Sequence, residues 1–178
     1  IKKTGKKQIQ FLREEFNIEI SDLSDTLPTL QRPKITIREE YIFMVLLFPV
    51  EDKNSLSIST AKVDLFIFKD MFVLMHDEDL EPLQILRESI EHYAEENGPA
   101  RFTPQQLVPW ILLDLYGYCM PISNRVANAI DQLEEIIFSQ NLGNRTVVKT
   151  LFDIEREVVD FRKIMRSHTM IMDKLATV

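Results

Sequence analysis

Two stretches in the C-terminal half hold apolar residues at steps that alternate between four and three. The first runs Leu115, Cys119, Ile122, Val126, Ala129, Leu133 and Ile136. The second runs Val147, Leu151, Ile154, Val158, Phe161, Met165, His168, Met172 and Leu175. That period places each set on one stripe of a helix, as in helices packed lengthwise against each other. Between them, Asn141-Leu142-Gly143-Asn144 has the chemistry of a tight helix-helix turn. No Gly, Asn or Pro closes the second stripe after Leu175. The sequence therefore predicts a long antiparallel helical pair whose second member is the stem of something longer.

The 178 residues suffice for one domain with a real core. Acidic residues outnumber basic ones 28 to 21, giving a net charge of −7. This argues against duplex nucleic acid or an anionic membrane surface as the main partner. Cys119 is the sole cysteine, which excludes an internal disulfide and a Cys-rich zinc site and points to a reducing, cytosolic location. On the apolar stripe it reads as a small buried hydrophobe. No run approaches the ~18–20 apolar residues of a membrane span. The chain opens on Ile1 without a signal peptide, so a fragment of a longer polypeptide is expected.

Ahead of the helical pair the periodicity changes. Ile9, Leu12 and Phe16 suggest a short amphipathic helix, and Ser21 to Leu27 a second, with Ser21 as its N-cap and Pro28 after its end. Lys34 to Arg38 alternates, and the apolar run Tyr41–Val50 predicts a central strand. Glu51 to Ser55 is a polar turn. Val63 to Phe68 and Met71 to Met75 form a hairpin across Lys69-Asp70. Leu83, Leu86, Ile90 and Tyr93 line a helix stopped by Asn97-Gly98-Pro99. Thr103-Pro104-Gln105-Gln106 then supplies an N-cap, Pro at N1 and Gln at N3 for a long helix, which Pro121 should bend or break.

The predicted fold class is α+β, an α/β/α sandwich. Its mixed, largely antiparallel sheet is covered by helices and followed by two long antiparallel helices. Residues 1–100 form the sheet-containing portion and 101–178 the helical pair, one cytosolic domain in all.

Chemistry-bearing motifs are sparse. His76-Asp77-Glu78-Asp79 could supply metal-binding oxygens or a general base, but equally reads as a polar loop entering a helix. His168 falls on the stripe and is expected to be packed or to face a partner. Phosphate loops, nucleophile motifs and HExxH are absent, and Glu134-Glu135 reads as a solvated helix face. The sequence offers no support for an enzyme.

Leu23-Ser24-Asp25-Thr26-Leu27, then Gln31-Arg32-Pro33-Lys34 and the strand Tyr41-Ile42-Phe43-Met44-Val45-Leu46, resemble the cytosolic domain of the CorA family of divalent-cation channels. There a short acidic helix precedes an RPK-like turn and an apolar strand. The resemblance continues through Val63 to Asp77, through Ile130-Asp131-Gln132-Leu133-Glu134-Glu135 and through Phe161-Arg162-Lys163, covering nearly the whole chain.

The resemblance implies a homopentamer at the cytoplasmic face of the cell membrane, reaching the bilayer only through C-terminal spans that lie beyond this sequence. It implies Mg2+ as the ion, with Co2+, Ni2+ or Zn2+ as alternatives, and a regulatory role in which metal bound between subunits controls gating. Asp25 matches the family's wall carboxylate. Ser24 stands where the family often has Glu, and Gly117 and Tyr118 stand where it commonly has acidic residues, which leaves Asp114, one turn earlier, as the substitute. Three other readings stay open: a zinc-transporting branch of the family, a soluble coiled-coil adaptor without metal dependence, and a metal-assisted hydrolase using His76, Asp77 and Asp79.

Overall fold

The structure, a computed structural model, describes residues 1, 5–27, 32–51, 57–76, 80–98, 102–139 and 145–177. The elements are α1 (Lys6–Phe16), α2 (Ile20–Asp25), β1 (Lys34–Ile37), β2 (Tyr41–Glu51), β3 (Ile58–Phe68) and β4 (Phe72–His76), followed by α3 (Glu81–Asn97), α4 (Pro104–Ser139), α5 (Arg145–Met165) and α6 (His168–Leu175). The strands form a sheet in the order β1-β2-β3-β4, every pair antiparallel. The fold is α+β, with a layer of helices on each face of the sheet.

The strand at the centre is the apolar run read from the sequence, and its two sets of side chains feed two cores. Met44, Leu46 and Phe48 join Ala61, Val63 and Leu65 beneath α3, α4 and α6, where Leu83, Leu107, Ile111, Leu115 and Ile171 cover them. Tyr41, Phe43 and Val45 join Phe66 and Met75 beneath α1 and α2, covered by Leu12 and Leu23. Phe43 stacks on Phe66 at 4.5 Å between ring centroids, as expected of cross-strand neighbours in register. A strand buried on both faces has no polar alternation to show, which is why it reads as a continuous apolar run.

The hairpin turns at Lys69-Asp70, where the Phe68 N–H donates to the Met71 carbonyl at 2.8 Å. Helix α4 starts at Pro104 as predicted. The Gln106 N–H donates to the Thr103 carbonyl at 3.0 Å, and Gln106 Oε1 accepts from the Thr103 N–H at 3.1 Å.

Three details depart from expectation. Helix α4 runs unbroken through both Pro109 and Pro121. The carbonyl orphaned by Pro121 belongs to Gly117, and both residues are exposed, so water can satisfy it while Leu115, Cys119 and Ile122 stay packed beneath. Second, Ser21 is not the cap of α2: the cap is Glu19, whose carbonyl accepts from the N–H groups of Asp22 and Leu23 at 3.1 and 3.0 Å. Third, the second stripe is not one helix, because a turn at Arg166-Ser167 separates α5 from α6. The buried line there runs through Ile164, His168 and Ile171, one residue away from the Met165 and Met172 of the strict heptad. A 3.6-residue helix drifts from a 3.5-residue repeat, and the break re-aims the last two turns, α6, at the sheet.

The predicted turns at 52–55 and 141–144, the stop at Pro99, and Pro28 and Gln31 lie outside the described residues.

Candidate functional site

Asp25 is the last residue of α2, and two ammonium groups from the sheet converge on that end of the helix. Lys34, the first residue of β1, pairs with Asp25 Oδ2. Lys62, from β3, donates to the carbonyl oxygens of Asp25 at 2.9 Å and Leu27 at 2.8 Å. The alternation of the strands explains this: Lys34, Lys62 and Asp64 sit on the α1-α2 face, while Ile35, Ala61 and Val63 point to the other core. A helix C-terminus carries partial negative charge on its last carbonyls, so cations belong there. Lys62 is buried and forms an ion pair with Asp64 at 3.2 Å, a fixed part of the scaffold.

The start of α2 is anchored just as firmly. Asp22, buried, accepts a two-pronged contact from Arg38, Nε at 2.9 Å and Nη2 at 3.0 Å, and a third hydrogen bond from the Tyr41 hydroxyl at 2.8 Å. Burial pushes this carboxyl upward, but the bonds from Arg38 and Tyr41 together outweigh it and hold its pKa below the ordinary value. The Tyr41 oxygen also accepts from the Glu19 N–H at 3.1 Å. Both ends of the helix bearing Asp25 are thus tied to the sheet, and the carboxylate stands on a rigid platform.

Asp114 lies elsewhere. It is exposed on α4, beyond the opposite face of the sheet. There it lines an open cleft of about 710 Å³ with Glu81, Pro82 and Ile85 of α3 and Leu113, Gly117, Tyr118 and Met120 of α4. Asp25 and Asp114 do not meet within one protomer.

Ser24 turns back into its helix, donating to the Ser21 carbonyl at 2.7 Å. His76 closes β4, while Asp77 and Asp79 lie outside the described residues. Among the described residues no three His, Cys, Asp or Glu side chains gather as a metal centre. Mg2+ keeps several waters and takes one or two carboxylates, so the chemistry of Asp25 fits it as one hard oxygen donor.

Lys34, Lys62 and the Asp22–Arg38–Tyr41 group are what the sequence reading of the site missed. The signal for Lys34 was present in the Arg32-Pro33-Lys34 motif, but its partner nine residues earlier was not. His168 is buried and packed, as one of its two expected fates. Cys119 is buried, its thiol pushed up to about 11 by burial. Glu134 and Glu135 are exposed. Among the described residues no helix is long and apolar enough to cross a membrane.

The chain thus combines an antiparallel sheet, covered by helices on both faces, with a long helical pair. Residues 1–178 match the family described as CorA-like Mg2+ transporter protein, and the chain belongs to that family. It is 26% identical over 156 residues to the cobalt/magnesium transport protein CorA of Thermotoga maritima, which covers 87% of this chain and 43% of that protein. The chain therefore spans less than half the length of this curated relative. Among solved structures, the full-length CmaX protein superposes with a TM-score of 0.79 at 14% identity, over 99% of this chain and 53% of the other. The complete CorA magnesium transporter of Methanocaldococcus jannaschii gives 0.74 at 15% identity, over 98% and 53%. At these identities the likeness is one of fold.

Proposed function

We propose that this chain is the regulatory, ion-sensing portion of a CorA-like divalent-cation transporter. It would act at the cytoplasmic face of the membrane as one of several identical subunits, five by the family resemblance. In this reading Asp25 would supply a hard oxygen donor at a subunit seam, and Asp114, exposed on the other side of the sheet, would serve a different neighbour. The observation that carries the reading is the position of Asp25: a partly exposed carboxylate on a short helix clamped to the sheet at both ends. A carboxylate on such a platform reports the approach of a second subunit without moving itself.

Carboxylates from adjacent subunits repel unless a hard cation lies between them. A bridging Mg2+ or Co2+ would supply that neutralisation and favour the closed arrangement. Each site contributes RT ln(1 + [L]/Kd), about 1.4 kcal/mol at tenfold saturation, so several weak sites suffice for a switch. The full-length transporter carrying this chain should gain thermal stability and sediment more compactly as Mg2+ rises into the millimolar range. Asp25→Asn should reduce both responses. Identical titrations for the wild type and the variant would remove Asp25 from the role.

A further inference from the structure

We infer that Lys34 is a tethered competitor for the cation at Asp25, so that the ion must displace an internal ammonium group to bind. The inference rests on the assignment of Asp25 above. The two ammonium groups at the end of α2 differ in kind. Lys62 is buried, is held by two carbonyl oxygens and Asp64, and cannot leave without exposing them. Lys34 contacts the carboxylate itself, and its side chain keeps 39% of its exposure against 19% for Asp25. It also faces the Phe43 ring, with Nζ 5.5 Å from the centroid, a contact that orients the ammonium without trapping it.

In the single protomer, then, Asp25 is already neutralised by a movable cation. A divalent ion offers twice the charge and can be shared with a neighbouring subunit, which Lys34 cannot. Displacement costs little, because a partly exposed ion pair is weak. It also keeps Asp25 from binding monovalent ions, which gain nothing over the ammonium they would replace. Lys34 therefore sets the concentration at which the site fills, and it is a positioning residue rather than a ligand.

The test uses the full-length transporter, with Mg2+ and Co2+ titrated against thermal stability and sedimentation. Lys34→Gln, which keeps the stem and removes the charge, should lower the cation midpoint by about two- to fivefold, given the strength of such pairs. Lys34→Arg, which keeps the charge and pairs through a fork, should leave the midpoint unchanged or raise it. In the wild type, the rate at which an amine-reactive acylating reagent modifies Lys34 should rise as Mg2+ is added. That readout needs no variant to fold and does not depend on transport. If Asp25→Asn weakens the cation response while Lys34→Gln leaves the midpoint in place and Mg2+ leaves the labelling rate unchanged, the competition is overturned and the role of Asp25 stands. If Asp25→Asn has no effect, both fall together.

Discussion

The Tyr116 hydroxyl lies 2.8 Å from Nδ1 of His168. On the other side of the ring, Nε2 is 2.7 Å from the Leu47 carbonyl oxygen. A carbonyl only accepts, so Nε2 carries the proton and Nδ1 accepts from the tyrosine. The first residue of α6 is thereby fastened to α4 and to β2 at once, and the Phe48 ring packs edge-on against it at 5.0 Å. This clasp sits directly after the break that separates α5 from α6.

Burial lowers the His168 pKa from its ordinary value, although the Leu47 carbonyl favours the charged form. The unfolded chain takes up this proton near pH ~6.5 and the folded chain only at lower pH. Between those two values the unfolded state binds more protons, so stability is complete above ~6.5 and falls as pH drops through that window. Denaturant titrations across the acid range should show this slope in the wild type. His168→Gln should lose that part of the slope and cost about 1–3 kcal/mol at neutral pH, since the buried Leu47 carbonyl and the half-buried Tyr116 hydroxyl lose their partner.

Asp22 acts at the more acidic end. Its depressed pKa contributes stability that is present above the ordinary carboxyl range and lost as pH falls through the folded value. Tyr41→Phe removes one of the bonds that favour the carboxylate and strands the Glu19 N–H. The expected cost is about 1–3 kcal/mol, with acid unfolding beginning at higher pH than in the wild type. Unchanged acid unfolding would show that Arg38 alone sets the charge of Asp22.

Arg125 joins three elements, with Nε 2.5 Å from Glu51 Oε1 on β2 and Nη1 2.8 Å from Glu157 Oε2 on α5. The guanidinium reaches both carboxylates because its donors are fixed in a fork, and a lysine ammonium is a single point. Arg125→Lys should therefore destabilise the protein by about 1–2 kcal/mol despite conserving charge. A double-mutant cycle with Glu157→Gln should show coupling of about 0.5 kcal/mol or more.

Gly117 and Pro121 are costly choices for a helix interior. A Cβ at Gly117 would meet nothing within 4 Å, so Gly117→Ala should stabilise the isolated chain by roughly 1 kcal/mol. Pro121→Ala restores a bond to the Gly117 carbonyl and should add up to ~3 kcal/mol. Thermal melts of the two variants check both. Stabilisation paired with weaker oligomerisation of the full-length protein would mark the exposed face of α4 as a subunit contact.

Pattern alone was enough for the elements whose side chains answer to a single periodicity. The run Tyr41–Val50 reads as a central strand and the stripe from Leu115 to Leu133 as a helix seam, and both form as read. Thr103 to Gln106 announced the start of α4 because a cap is a local structure, complete within four residues. The family resemblance picked out Asp25 for the same reason: the acidic helix and the Arg32-Pro33-Lys34 turn lie close together along the chain.

What local pattern could not reach was every pairing across the fold. Lys34 and Lys62 meet the end of α2 only because antiparallel register puts both on the same face of the sheet. Arg38 and Tyr41 find Asp22 across 16 and 19 residues, and His168 finds Leu47 across 121. Pro121 is expected to bend or break α4 because helix propensity is a local preference, and the packing of Leu115, Cys119 and Ile122 keeps the helix continuous. Sequence periodicity determined which segments would be helix and which strand, and the buried face from Leu115 to Leu133, whereas Leu151 and Val158 of the second stripe are exposed because burial also needs an element packed against it. The partners of the buried charges were decided by tertiary structure, because a polar group taken out of water must find its complement wherever the fold delivers one.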